Sequence, residues 1–373
     1  MRILIVRVSA LGDAIHTLPA LDLLKKYLPN ARIDWLVQHK NLGIIKQIPG
    51  IDKIHKLHDH YLHPTHLRHT LALLHTLRGE AYDLVIDFQG LAKTSILIAA
   101  LEKRSIGFGC RAAREKISTI IHPHVINPAA TTPIIEKNKA LARAAIYLLT
   151  QQRLPTQPRQ LPLACAPVPT PKAEKEVNVW IAAHEAKRLI LLAPNTTWES
   201  KHWPLARWEE LVTKVSLFTH HHVILLGQHF GDQGRHLARF IKEHKLPILI
   251  APSWSLDELF AVMRHADLIV APDTGLLHIA DCLGVATIGL YGPTKVARHG
   301  PQITPTNRAL CFQVNCMHHY QKTHCNVLNY SLEQDCMYKL SANAVLERIT
   351  SVISSITKDK RHETTASTPV FAF

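Results

Sequence analysis

An acid, a hydroxyl and a glycine stand in a row at Asp273-Thr274-Gly275, inside the segment Ala271-Pro272-Asp273-Thr274-Gly275-Leu276-Leu277-His278-Ile279-Ala280. An apolar run ends just before this turn and a helical pattern begins just after it. Asp273 suits the N-cap of that helix, and Gly275 lets a ligand approach the backbone closely. The N–H groups of Thr274 and Gly275, at the positive end of a helix, suit a diphosphate. His278 lies on the first turn that follows. An ordinary capped strand-to-helix turn has the same local pattern, so the segment alone leaves both readings open. A second glycine turn, Tyr291-Gly292-Pro293-Thr294, follows the next strand on the same rim.

Two further loops also follow strand-like runs. Pro194-Asn195-Thr196-Thr197-Trp198-Glu199-Ser200-Lys201-His202-Trp203-Pro204 offers amide and hydroxyl donors with one lysine. Lys201 would act as a point charge on a phosphate. A polar loop whose tryptophans pack on the core would read the same way. Val8-Ser9-Ala10-Leu11-Gly12-Asp13-Ala14-Ile15-His16 lacks the second and third glycines of a dinucleotide fingerprint. A carboxylate at Asp13, on the carboxyl edge of a sheet, can deprotonate an attacking hydroxyl. It can equally cap the helix that starts there.

These loops need a scaffold of strands that end beside helices, and the chain supplies one. Ile3 to Val8, Arg32 to Val37, Leu84 to Asp87 and Ser105 to Phe108 read as strands. So do Leu189 to Ala193, Val223 to Leu226, Ile248 to Ile250, Leu268 to Val270 and Thr287 to Tyr291. Helical patterns alternate with them, including Ile15 to Leu24, Leu205 to Phe218 and Leu256 to Arg264. This rhythm predicts an α/β class with parallel, doubly wound sheets. Six prolines between Arg153 and Glu176 predict an extended linker. The expected organisation is a first domain over 1–155, a linker over 156–178 and a second domain over 179–345. A last amphipathic helix over Ala342 to Ile356 and a tail without order complete it. Two such domains in tandem create a cleft at the carboxyl ends of their strands, where ligands of open α/β sheets bind.

The bulk numbers bound the partners. A chain of 373 residues is too long for one ordinary core. No run approaches the roughly 18–20 apolar residues that span a bilayer. The N-terminus lacks the length and cleavage site of a signal peptide, so a cytosolic location with reduced thiols is expected for the seven cysteines. A net charge of +14 favours polyanions: nucleic acid, anionic headgroups or a phosphorylated substrate. Aromatic residues make up only 6% and form no stripe, which weighs against nucleic acid. Cys311, Cys316, Cys325 and Cys336, with His318, His319 and His324 among them, lack a CxxC pair, so thiols are favoured over zinc. His55, His58, His60, His63, His66, His69 and His75 should be spread by helical spacing over a solvated face.

Taken together, four stretches resemble the glycosyltransferase family of bacterial lipopolysaccharide heptosyltransferases. They are VRVSALGDAIHTLPAL from Val6 to Leu21, IDFQGLAKTS from Ile86 to Ser95, the SKHWP run from Ser200 to Pro204, and PDTGLLHIA with LYGPT from Pro272 to Thr294. The IHTLPAL ending is most similar to heptosyltransferase I, while the cysteine region is more similar to heptosyltransferase II. The resemblance implies the GT-B fold, with two Rossmann-like domains. It implies inverting transfer of L-glycero-D-manno-heptose from ADP-heptose to the Kdo of Kdo-lipid A. By the same resemblance Asp13 is the general base and Lys201 neutralises departing ADP. Thr196, Thr197, Asp232, Trp254, Asp273, Thr274, Gly275 and His278 belong to the donor site. Gln89, Lys93, Arg114 and Arg143 belong to the acceptor site. No metal is required, although Mg²⁺ could assist. The acceptor is a lipid, so an anionic inner-leaflet surface becomes a partner and nucleic acid does not. The protein would then be cytoplasmic and peripheral to the inner membrane.

Overall fold

The computed structural model describes residues 1–154, 164–218, 220–227, 231–301, 309–313 and 337–366. The chain divides into two compact units, Met1–Thr170 and Pro171–Phe373.

The first unit holds strands β1 (Arg2–Val6), β2 (Arg32–Gln38), β3 (Lys53–Leu57), β4 (Leu84–Asp87), β5 (Ser105–Phe108) and β6 (His124–Ile126). Its helices are α1 (Leu11–Ile15), α2 (Leu18–Tyr27), α3 (Leu42–Ile45), α4 (Leu67–Gly79), α5 (Ala92–Leu101) and α6 (Ile134–Thr150). The second unit holds β7 (Leu189–Leu192), β8 (His222–Leu225), β9 (Leu249–Ile250), β10 (Ala266–Pro272), β11 (Ala286–Tyr291) and β12 (Ala309–Gln313). Its helices are α7 (Pro171–Ala183), α8 (Leu205–Val215), α9 (Asp232–Glu243), α10 (Leu256–Arg264), α11 (Gly275–Cys282), α12 (Val296–His299) and α13 (Ala342–Ala366).

Both sheets are parallel throughout, and both have the same order. The first runs β3-β2-β1-β4-β5-β6 and the second β9-β8-β7-β10-β11-β12. In each, the first strand of the unit pairs with the second strand on one side and the fourth on the other. The order therefore reverses between β1 and β4 and between β7 and β10. Crossover helices leave these two strand pairs toward opposite faces, which opens a crevice at their carboxyl ends. The central strands are covered on both faces, so they read as continuous apolar runs. Ile3, Leu4, Ile5 and Val6 of β1 and Ile190, Leu191 and Leu192 of β7 are fully buried. Each such side chain contributes about 1.5–3 kcal/mol on burial. Apolar burial holds the sheets, which leaves the polar loops at the strand ends free to serve another purpose.

The structure departs from the sequence reading in five places. Strands β3, β6 and β12 were not expected, because each is short or polar and lies at a sheet edge or beside it; β3 alternates Lys53, His55 and Leu57 with Ile54 and Lys56. The helical run after β1 breaks at His16 and Thr17 into α1 and α2. The expected linker ends early, since α7 already begins at Pro171. Proline is tolerated in the first helical turn, where its missing N–H has no partner to lose. Helix α13 runs to Ala366, past the expected end at Ile356. No proline interrupts it before Pro369. Finally, Asp273 is not the cap of α11, whose N-cap is Thr274 in an extended conformation. The cysteine and histidine group from Cys316 to Cys336 lies outside the described residues, as do residues 155–163 of the linker.

Candidate functional site

The loop after β1 is built around Arg7, which is only 2% exposed. Its guanidinium donates to the carbonyl oxygens of Phe88 and Asp13 and pairs with the Asp13 carboxylate at 3.2 Å. Arg114 reaches the other Asp13 oxygen at 2.6 Å, and Ala10 N–H donates to that oxygen at 3.2 Å. Asp13 accepts a backbone donor at the start of α1, whose N-cap is Ala10, and sits between two guanidinium groups. Burial raises its pKa, but Arg7, then Arg114 and His16, outweigh burial and hold the carboxyl well below the usual carboxylate range. Burial in turn brings the Arg7 guanidinium down to about 10.

Gln89, at the end of β4, completes this rim. Its Oε1 accepts from the N–H groups of Val8 and Ser9 at 3.1 and 3.2 Å. Its Nε2 is buried and has no hydrogen-bond partner among the described residues. A chain of groups invisible to the sequence reading stands behind it. Asp87 Oδ1 accepts from Gln89 N–H at 2.9 Å and Gly90 N–H at 3.1 Å. His122 Nε2 lies 3.1 Å from Asp87 Oδ2, and His122 Nδ1 lies 3.0 Å from Ser105 Oγ. The three side chains are buried, so the serine is closed to any substrate and the chain of bonds positions the loop. A Cβ on Gly107 would come within 2.5 Å of the His122 ring, so only glycine leaves room for it. We expect His122→Ala to lower stability by about 1–3 kcal/mol, because it removes a partner from a buried carboxylate. Urea unfolding measures it; an unchanged midpoint would show the bond to be idle.

In the second unit, Lys201 ends a 3₁₀ turn, Glu199–Lys201, after β7. Its Nζ lies 2.7 Å from Asp273 Oδ2, at the end of β10, and 4.5 Å from the centre of the Trp198 ring. His278 Nε2 holds the other Asp273 oxygen at 3.0 Å. Burial raises the Asp273 pKa, but the His278 hydrogen bond and charge, then Lys201, hold it well below the carboxylate range. Nearby His299 is pushed down to about 4 by burial, against the pull of Asp273. Asp273 is therefore an anchor for the cation and the imidazole. Thr274 presents its own N–H at the start of α11, and its Oγ1 is buried without a partner among the described residues. Neutralising Asp273 has a definite acid signature. A carboxylate held below its unfolded value stabilises the fold above about pH 4 and loses that contribution as pH falls further. In Asp273→Asn the decline of unfolding free energy below about pH 4 should therefore be shallower; an identical pH slope for both proteins would sink this.

The remaining expected residues fall in different surroundings. Thr196 and exposed Thr197 lie on the same loop as Lys201, with Thr196 O bonded to His202. Asn195, not singled out from sequence, ties this loop to the next: its Nδ2 donates to Gly227 O and its Oδ1 accepts from Gly234 N–H. Asp232 opens α9 with an exposed carboxylate paired to Arg235. The Trp254 ring is buried edge-on against Trp180 at 5.0 Å, so only its backbone is available to a ligand. Lys93 is exposed on the first turn of α5, and Arg143 lies midway along α6; neither is bonded to Asp13, Gln89 or Arg114. Asn138 of α6 is the residue that reaches the rim loop, donating to His16 O at 2.8 Å.

One group of three residues with metal-ligating atoms within 4.8 Å of one another occurs among the described residues: Asp34, His55 and Glu80. Arg32, Tyr82 and Lys53 already engage its carboxylates, which makes it an ion-pair network at the opposite, amino-terminal edge of the sheet.

Comparison with known proteins gives a consistent picture. The family model for glycosyltransferase family 9 (heptosyltransferase) matches residues 70–330. Lipopolysaccharide heptosyltransferase 1 of Pseudomonas aeruginosa is 30% identical, over 79% of this chain and 79% of that protein. Its counterpart from Escherichia coli K12 is 26% identical over 79% and 88%. Among solved structures, E. coli heptosyltransferase WaaC with ADP superposes with a TM-score of 0.73, at 22% identity, over 94% of this chain and 100% of that one. E. coli ADP-heptose lps heptosyltransferase II gives 0.72 at 18% identity, over 96% and 100%.

Proposed function

The chain belongs to glycosyltransferase family 9, the heptosyltransferases, and from that premise we propose that it moves L-glycero-D-manno-heptose from ADP-heptose to the Kdo of Kdo-lipid A. It is a glycosyltransferase of the GT-B fold, in a family of lipopolysaccharide core biosynthesis. The observation that carries the finer reading is the chemistry at the two strand reversals. One bears a carboxylate between arginines; the other bears a lysine, an imidazole and a helix start. Each also holds a buried polar atom without a partner among the described residues, Gln89 Nε2 and Thr274 Oγ1. Buried polar groups are normally satisfied, so such atoms call for a ligand.

In this reading Asp13 takes the proton of the acceptor hydroxyl as its oxygen attacks the anomeric carbon. The bond to ADP breaks in the same displacement, with inversion. Lys201 and the N–H groups at Thr274 and Gly275 stabilise the charge that develops on the diphosphate. Thr196, Thr197, Asp232, His278 and the backbone of Trp254 complete the donor site. Arg114, Gln89, Lys93 and Arg143 serve the anionic acceptor. No metal is required, though Mg²⁺ could assist.

Among the described residues no helix is long and apolar enough to cross a membrane. The net charge of +14 supports peripheral attachment to the anionic cytoplasmic face of the inner membrane, weakened by salt. Nucleic acid has no part in the reaction. The test is transfer from purified ADP-heptose to Kdo-lipid A beside an already heptosylated acceptor. Product on the first acceptor supports the proposal. Product on the second alone assigns the heptosyltransferase II reaction instead, and none on either sinks both.

A further inference from the structure

His69 and His75 lie exposed on α4 as their spacing suggested, but His58, His60, His63 and His66 precede that helix and group together. His58 and His66 stack with ring centroids 3.5 Å apart and planes inclined by 18°. His60 lies 6.3 Å from His58 and His63 lies 6.4 Å from His66. The local fold explains the grouping. Pro64–His66 form a 3₁₀ turn with His63 as its N-cap. Side chains at positions i and i+3 eclipse in a 3₁₀ helix, which puts His63 and His66 on one side. The chain leaving β3 then lays His58 across His66. The result is four imidazoles from one short segment, with His58, His60 and His63 exposed and His66 half-buried.

We propose that His58, His60, His63 and His66 bind a divalent transition-metal ion of the zinc, nickel or copper type. Imidazole nitrogen is the ligand these ions favour, whereas magnesium and calcium take oxygen. His63 Nδ1 lies 2.8 Å from Thr65 Oγ1. His63 Nδ1 also accepts from Thr65 N–H as the N-cap of the turn, which fixes this ring at its start. No three of these ring nitrogens lie within 4.8 Å of one another as the rings stand. Binding therefore draws the exposed rings inward by rotation about χ1 and χ2. The site uses none of the residues placed in the transferase site.

The test is calorimetric titration of the full chain with Zn²⁺ and, separately, Ni²⁺. The comparison proteins are His58→Ala/His66→Ala, His60→Ala/His63→Ala, and His244→Ala on α9 as control. Wild type and control should bind one equivalent more than either double variant, or bind it at least about tenfold more tightly. The substituted side chains lie at the surface, and equal melting temperatures without metal will verify intact folding. Identical stoichiometry and affinity in all four proteins would overturn the proposal, whatever other groups of the chain bind.

Discussion

Asp13→Asn should lower kcat for heptose transfer by about 10²–10⁴-fold, the range of a general base, while ADP-heptose still raises the melting temperature. The substitution keeps the shape and an acceptor for Ala10 N–H but removes the charge. The environment makes this demanding on the carboxylate. Held by Arg7 and Arg114 well below the usual range, Asp13 is ionised at any working pH but a weak base. The two arginines differ in a way that bears on this. Arg7 is 1% exposed and fixed by two carbonyl oxygens, whereas Arg114 is 39% exposed. On the proposed reading, an anionic acceptor that drew Arg114 away would make Asp13 more basic. The variant also leaves Arg7 facing a neutral amide, so its stability should be measured with its rate. The proposed donor residues belong to the second unit, so a retained thermal shift with ADP-heptose separates lost chemistry from lost fold. Turnover near the wild-type rate would remove Asp13 as the base.

The second large effect is at Lys201. In Lys201→Ala, kcat/KM for ADP-heptose should fall by about 10²–10³-fold, the range for removing one preorganised group from a developing anion. The KM for acceptor should stay within about twofold, since the interaction is made with the leaving group alone. Asp273 keeps His278, so the carboxylate is not stranded and the fold should survive. Lys201→Arg is the companion variant. A guanidinium keeps the charge but not the compact shape, and partial recovery of donor use would assign the effect to charge. Donor kinetics equal to wild type in Lys201→Ala would reduce the lysine to a structural partner of Asp273.

Asp13, Lys201, Thr274 and Gly275 were legible from sequence because each lies just past an apolar run and just before a helical one. Strand-turn-helix is a local pattern, and the chemistry of a strand end needs only a few adjacent residues. The α/β class was legible for the same reason, since central parallel strands are buried on both faces and read as apolar runs. The edge strands β3 and β12 were missed, and β6 with them, because short or polar strands leave no such run. The partners of the site residues were hidden more deeply. Arg7 and Asp87 read as strand residues, and His122 was not singled out. The histidines after β3 read as helical until a 3₁₀ turn eclipsed them.

The sequence by itself determined which residues carry charge at the strand ends, and so the class of chemistry. Only the tertiary structure decided what each of them touches. The bond from Gln89 to Val8 spans 81 positions and that from Lys201 to Asp273 spans 72. Both exist because β1 lies beside β4 and β7 beside β10, and strand order is a property of the packed sheet that no stretch of residues states. The same packing turned Asp273 from the expected helix cap into the anchor of Lys201 and His278, since burial favours pairing a carboxylate with cations over leaving it to cap a helix at the surface.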